Sequence, residues 1–229
     1  MLSMRRLKRV LHAFGRYRHG RGFGVHSPFA FRFILRTLRE RTPFYAYETL
    51  SGFRKEIKKS VRVRRHMMSE KHMRMLFRIV NLFEPACVLE LGSLSGEDIV
   101  AIMETSSTLR LNIYAPIVSL PFSVTERYAA RIEERASLPV SLDTSFVVVA
   151  DLDDSYLPHA EDLLLGTLGR LSGKDMILVF PDIRTDGIRR LWNDVRSAMP
   201  YGMTFYNEGS FAVAVVRSKL PRQDFRVSL

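Results

Sequence analysis

Chemistry in this chain can be expected from a few polar residues set at the ends of apolar runs. Glu90, Gly92, Ser93 and Gly96 follow one another in Cys87-Val88-Leu89-Glu90-Leu91-Gly92-Ser93-Leu94-Ser95-Gly96, directly before the helix-like residues 97–103. This reads as strand, tight turn and helix, with a carboxylate at the strand end and glycines four apart where a ligand can approach the backbone. Any strand-to-helix unit needs a turn, so a plain turn without ligand stands beside that reading. Asp151 and Asp182 close two further apolar runs, residues 146–151 and 176–180. Ligands of open α/β sheets bind at such strand ends, where carboxylates can orient an acceptor or share a hard cation; they also cap helices. His26 precedes Ser27-Pro28, a helix start, and is read either as a general base or as a structural residue before the cap.

The elements that would carry these residues alternate. After the strand and helix at 87–103 come a strand at 110–117, a helix at 123–136, a short edge element at Val140 and a strand at 146–151. A helix through Leu163, Leu164 and Leu168, the strand at 176–180 and a helix through Ile188, Leu191, Trp192 and Val195 follow. The chain closes with strands at 203–206 and 211–217 joined at Asn207-Glu208-Gly209, a turn short enough to join only antiparallel strands. The expected fold class is therefore α/β, a Rossmann-like, mostly parallel sheet of about seven strands with a C-terminal antiparallel hairpin and helices on both faces. Ahead of it, residues 45–59 and 67–83 read as helices, the latter stopped by Glu84-Pro85. The division expected is a basic helical extension and cap over 1–84 and the Rossmann-like domain over 85–229.

Charge divides the chain in the same place. Residues 1–80 hold 21 Lys and Arg against 4 Asp and Glu, a balance of +17, and the remainder carries −6. Met4, Leu7, Val10, Leu11 and Phe14 recur at helical spacing among arginines, and a basic glycine-containing loop follows over 15–24. Such a front suits an anionic partner, nucleic acid or an acidic surface, or packs on the chain's own acidic body. The longest apolar runs fall far short of the roughly 20 residues of a membrane span, so a cytoplasmic protein is expected. The single cysteine, Cys87, allows no intrachain disulfide and is read as core packing.

Leu89-Glu90-Leu91-Gly92 with Gly96 resembles the first motif of the class I S-adenosylmethionine (SAM)-dependent methyltransferases. Residues 22–29, Gly-Phe-Gly-Val-His-Ser-Pro-Phe, are similar to the N-terminal signature of a bacterial branch of that superfamily, and Val179-Phe180-Pro181-Asp182-Ile183 with Trp192 to its fifth strand and next helix. The resemblance implies SAM as cofactor, held at Glu90, Gly92, Ser93 and Gly96, and an unidentified methyl acceptor near Asp151, Asp182 and His26. It also calls for an acid after the second strand to accept the ribose hydroxyls. Ala115 stands there, so cofactor binding is expected to be weakened or lost. Two carboxylates without a third ligand make a poor cage, and no metal is expected. Two further function classes remain: a non-catalytic protein of the same fold that binds an anionic partner through its basic front, and a dinucleotide or nucleotide-sugar binder, disfavoured because the full GxGxxG is absent.

Overall fold

The computed structural model describes residues 27–60, 67–116, 121–142, 144–171, 173–207 and 209–227. His26, the 1–14 helix and the 15–24 loop lie outside them. The first helix, α1 (Pro28–Phe33), begins as its sequence dictates: Ser27 Oγ accepts the Ala30 N–H at 3.3 Å and Pro28 occupies the first position. It widens into a single π-type turn over Ile34–Leu38. Two longer helices follow, α2 (Tyr47–Ser60) and α3 (Glu70–Phe83). Ser69 caps α3 by accepting the His72 N–H, and Glu84 ends it in the left-handed region at φ 45°, ahead of Pro85.

The strands are β1 (Cys87–Leu91), β2 (Arg110–Tyr114), β3 (Ile132–Arg135), β4 (Phe146–Val149), β5 (Met176–Phe180), β6 (Met203–Asn207), β7 (Phe211–Val216) and β8 (Gln223–Arg226). Between them lie α4 (Glu97–Met103), α5 (Phe122–Tyr128), α6 (Leu157–Gly169) and α7 (Asp186–Ala198). They form one sheet in the order β3-β2-β1-β4-β5-β7-β6-β8, in which β7 alone runs against its neighbours. The chain leaves β1 in one direction along the sheet and returns to its other side at β4. The carboxyl ends of β1 and β4 therefore flank the point where strand order reverses, the ligand crevice of open α/β sheets.

Side-chain alternation assigns the two faces. Val88, Ile113, Val148 and Val179 pack with Phe33, Leu76, Ile99 and Val124 in one apolar cluster, under the helices α1 to α5. Leu89, Leu91, Val149 and Phe180 pack with Leu164, Leu168, Leu191 and Trp192 in the other, under α6 and α7. By the same period-two rule Glu90 points to the Val88 side, among the helices of the N-terminal part.

Three local expectations are corrected. The helix expected over 123–136 ends at Tyr128; a short 3-10 turn at Ala129–Arg131 follows, and Ile132–Arg135 is the edge strand β3. Its Glu133, Glu134 and Arg135 are exposed, a charged composition that suits a sheet edge, where it discourages pairing with other chains. Val140 is 96% exposed and belongs to no strand. The eighth strand, Gln-Asp-Phe-Arg, escaped notice because only Phe225 is buried; it lies parallel to β6, where Thr204 Oγ1 donates to Asp224 Oδ1 at 2.5 Å.

Candidate active site

The turn after β1 is stitched to both neighbouring strand ends. Gly92 N–H donates to the Tyr114 carbonyl at 2.7 Å, and Ser93 N–H donates to the Asp151 carbonyl at 3.0 Å. Gly92 has φ +77°, and a Cβ there would stand 2.0 Å from the Asp151 carbonyl oxygen. The glycine is thus required first by the chain's own backbone crossing, a tighter constraint than ligand approach. Gly96, at φ +103°, opens α4, and its α-carbon faces Pro121 Cδ, Ile57 Cδ1 and Val124 Cγ2, which a Cβ would meet at 3.3, 3.7 and 3.7 Å. Residues 91–100 are all buried.

Buried acids surround this turn. Glu90, Glu97 and Asp98 have no exposed surface. Asp98 is satisfied by the backbone: Oδ2 accepts the Leu94 N–H at 2.9 Å and Oδ1 its neighbour Ile99 N–H at 3.0 Å. Glu90 is not. Neither of its oxygens accepts a hydrogen bond from a protein N–H or O–H among the described residues, and the same holds for Ser95 Oγ, whereas the Glu97 carboxyl meets the Glu97 and Met68 backbone N–H groups weakly. Three such buried atoms within residues 90–95 is a concentration that a folded chain rarely leaves without a purpose. Burial, and then the Asp98 carboxylate beside it, hold the Glu90 carboxyl well above the usual carboxylate range. Glu97 is raised to about 8, again by burial first and Asp98 second, offset in part by its own backbone N–H, the Arg54 guanidinium and the Met68 backbone N–H. Around Glu90 the turn is therefore deficient in cationic or donor groups.

At the ends of the next two strands the picture differs. Asp182 is engaged: Arg184 Nε donates to its two oxygens at 2.8 Å each, Arg184 Nη2 closes the fork, and the Arg184 N–H adds a 3.0 Å bond to Oδ1. Arg184 is held in turn by the Met67 carbonyl at 3.0 Å. Asp182 raises the Arg184 pKa, and the Asp151 charge contributes in the same sense, which places Asp151, Asp182 and Arg184 in one electrostatic group. A carboxylate so neutralised is a poor ligand for a cation. Among the described residues no group of three His, Cys, Asp or Glu is placed to hold a metal ion.

His72, in the first turn of α3, reaches the same region and was missed in the sequence. Its Nε2 lies 3.4 Å from Ser210 Oγ and its ring 5.4 Å from that of Phe211. Burial lowers its pKa to about 4, against an opposing pull from Asp182, so the imidazole is neutral at physiological pH. Its sequence context, Lys-His-Met within an amphipathic helix, offers no motif that would single it out. Arg184 had a fainter signal, as the second residue after an acid that ends a strand.

Ala115, expected at the ribose position, has φ +51° and is buried; its N–H donates to the Arg135 carbonyl at 2.7 Å. It brings no polar group to the crevice.

No family model and no curated protein matches the chain. Solved structures do. A methyltransferase from Geobacter sulfurreducens superposes with a TM-score of 0.55 at 15% identity, covering 74% of this chain and 89% of that one. The S-adenosylhomocysteine-bound methyltransferase PaMTH1 of Podospora anserina gives 0.53 at 14% identity, over 85% and 97%. The chain has the class I methyltransferase fold. Its sheet order, single reversed strand and glycine turn after β1 are what that architecture requires, and at these identities the likeness extends to the fold alone. No helix among the described residues is long and apolar enough to cross a membrane.

Proposed function

We propose that the chain binds SAM on the turn after β1 and methylates an acceptor lying over the ends of β4 and β5. The observation that carries this reading is Glu90: a fully buried carboxylate with no donor for either oxygen, at the strand end of the reversal point. The amino group of SAM is a cationic donor of the kind the turn lacks, and the turn backbone from Gly92 through Ser93 to Gly96 would lie against the rest. SAM supplies a methyl group already activated on a sulfonium, so the protein's part is positioning more than chemistry. Glu90, whose carboxyl is held protonated by burial and by the neighbouring Asp98, would release its proton on meeting an ammonium. Asp151 and the locked Asp182–Arg184 pair would line the acceptor side, with neutral His72 a candidate to receive an acceptor proton; His26 retains that role only from the N-terminal signature. Entry requires Ile57, Pro121 and Val124, which stand over Gly96, to part.

Ala115 argues for a weakened site, because a carboxylate accepting both ribose hydroxyls contributes roughly 1.5–3 kcal/mol. It also favours the second reading, a non-catalytic protein of this fold that binds an anionic partner. Thermal melting with millimolar S-adenosylhomocysteine separates them. We expect a rise of a few degrees in the wild type and a larger rise, measured from its own ligand-free melting point, in Ala115→Asp, since aspartate tolerates φ +51° better than most residues. No rise in either protein would favour the non-catalytic reading.

A further inference from the structure

Away from the glycine turn, the loop after the first π-type turn and the start of α3 enclose an open cavity of about 690 Å³. Its walls are cationic. Lys71, Arg74 and Arg78 stand three and four residues apart on one stripe of α3, and Arg39 and Arg41 face them from the loop. The two carboxylates that also line it are turned to other work. Glu40 Oε1 accepts the Arg41 and Thr42 backbone N–H groups at 2.7 Å each, and Glu70 accepts from Ser51 Oγ at 2.8 Å and pairs with Arg74. Arg39, Arg41, Lys71 and Arg78 form no ion pair among the described residues.

Arg78 is the most unusual of them. It is only 7% exposed, yet every hydrogen-bond partner it has is neutral, the Thr37 carbonyl at 2.5 Å, the Tyr47 hydroxyl at 2.7 Å and the Leu38 carbonyl at 3.1 Å, and Glu40 acts on it only through space. Arg74 lies over the Tyr47 ring, 4.7 Å from its centroid, so both guanidinium groups are held in place before anything binds. Arg74 Nε and Arg39 Nη1 are buried with no hydrogen-bond acceptor. A buried charge with no direct ion pair and buried donors without acceptors are both costly, and one ligand chemistry would relieve both.

We propose that this cavity is a binding site for a phosphate group. Planar guanidinium forks match phosphate oxygens in pairs, the cation excess matches a doubly charged group, and the volume admits a nucleotide-sized molecule. The phosphate arrives either on a small metabolite or in the backbone of a nucleic acid. The inference does not depend on methyl transfer, because the residues concerned are separate from Glu90 and the glycine turn.

The test uses the full chain and a double variant, Arg41→Gln with Lys71→Gln, which spares the structural Arg78; Arg222→Gln, on a distant surface, serves as control. Melting is followed with inorganic phosphate, with adenosine monophosphate and with sodium chloride at matched ionic strength. Phosphate and the nucleotide are expected to raise the melting point of wild type and control above the chloride value, with at least half the rise lost in the double variant. A 20-nucleotide single strand then identifies the source. If it binds and the double variant lowers its salt slope by about 1.4, the ligand is nucleic-acid backbone; if adenosine monophosphate binds tighter than the strand per phosphate, it is a small molecule. A phosphate rise no greater than that of chloride, or an equal rise in the double variant, overturns the proposal.

Discussion

Gly92→Ala is expected to destabilise the protein by about 3 kcal/mol or more, enough to deplete the folded state during expression. The new Cβ would lie 2.0 Å from the Asp151 carbonyl oxygen and 2.8 Å from its carbon, both backbone atoms at the end of β4. That carbonyl also accepts the Ser93 N–H, so it cannot swing away without undoing the turn. Gly173 provides the comparison, since it has the same φ of +77° with nothing within 4 Å of a built Cβ. Its alanine variant is expected to cost only about 1 kcal/mol, the conformational part alone. Urea unfolding of the two variants makes the measurement, and equal costs would show that φ, not the backbone crossing, explains Gly92. A consequence for site mapping follows: a bulky residue at 92 destroys the fold before it can block a ligand, so loss of binding in such a variant says nothing about the cofactor.

The second large effect concerns pH. Glu97 has a folded-state pKa raised to about 8 from 4.5, so the folded chain holds a proton there that the unfolded chain releases. Stability from this group is complete below 4.5 and is lost as pH rises toward 8, the opposite of a salt-bridged carboxylate. The loss is at most ~1.4 kcal/mol per pH unit over that window. Half of that limit is about 2 kcal/mol by the upper end, or roughly 4–8 °C in melting temperature for a chain of this size. Glu97→Gln keeps the shape and cannot ionise. It is expected to melt close to wild type near pH 4.5 and several degrees above it near pH 8.5. A variant that melts below wild type at both pH values would mean that the ionised form is stabilised in the fold, and that the acidic cluster is not in deficit.

How much of this was visible in the sequence depends on which interactions carry each feature. The unit from β1 to α4 is readable because its information is local: a β-favouring apolar run, a turn that needs glycine, and a helix that begins at once. The closing hairpin is readable for the same reason. Edge elements are not, because Ile132–Arg135 and Gln223–Arg226 owe their strand state to a neighbour's free backbone edge and carry almost no apolar pattern of their own. Site residues divide likewise. Glu90 announces itself by position, but whether its carboxylate has a partner is decided by residues 94 to 99 folding back over it. Asp182 was visible as a strand-end acid, while its capture by Arg184 is a three-dimensional fact. His72 comes near Asp182 only through the packing of α3 against the strand ends, at a sequence distance no local rule spans.

The central claim is that the buried carboxylate of Glu90 awaits a cationic ligand, and titration calorimetry with S-adenosylhomocysteine measures this most directly. The titration is run near pH 7 in cacodylate and in Tris, whose different heats of ionisation reveal any protons exchanged. We predict one binding site per chain with net proton release, because the protonated Glu90 carboxyl ionises against the ligand's amino group. Glu90→Gln should weaken binding by about tenfold or more and abolish the release, in keeping with a charge-assisted hydrogen bond of roughly 1.5–3 kcal/mol. No binding at millimolar ligand, or binding of unchanged strength and proton count in Glu90→Gln, would contradict the account.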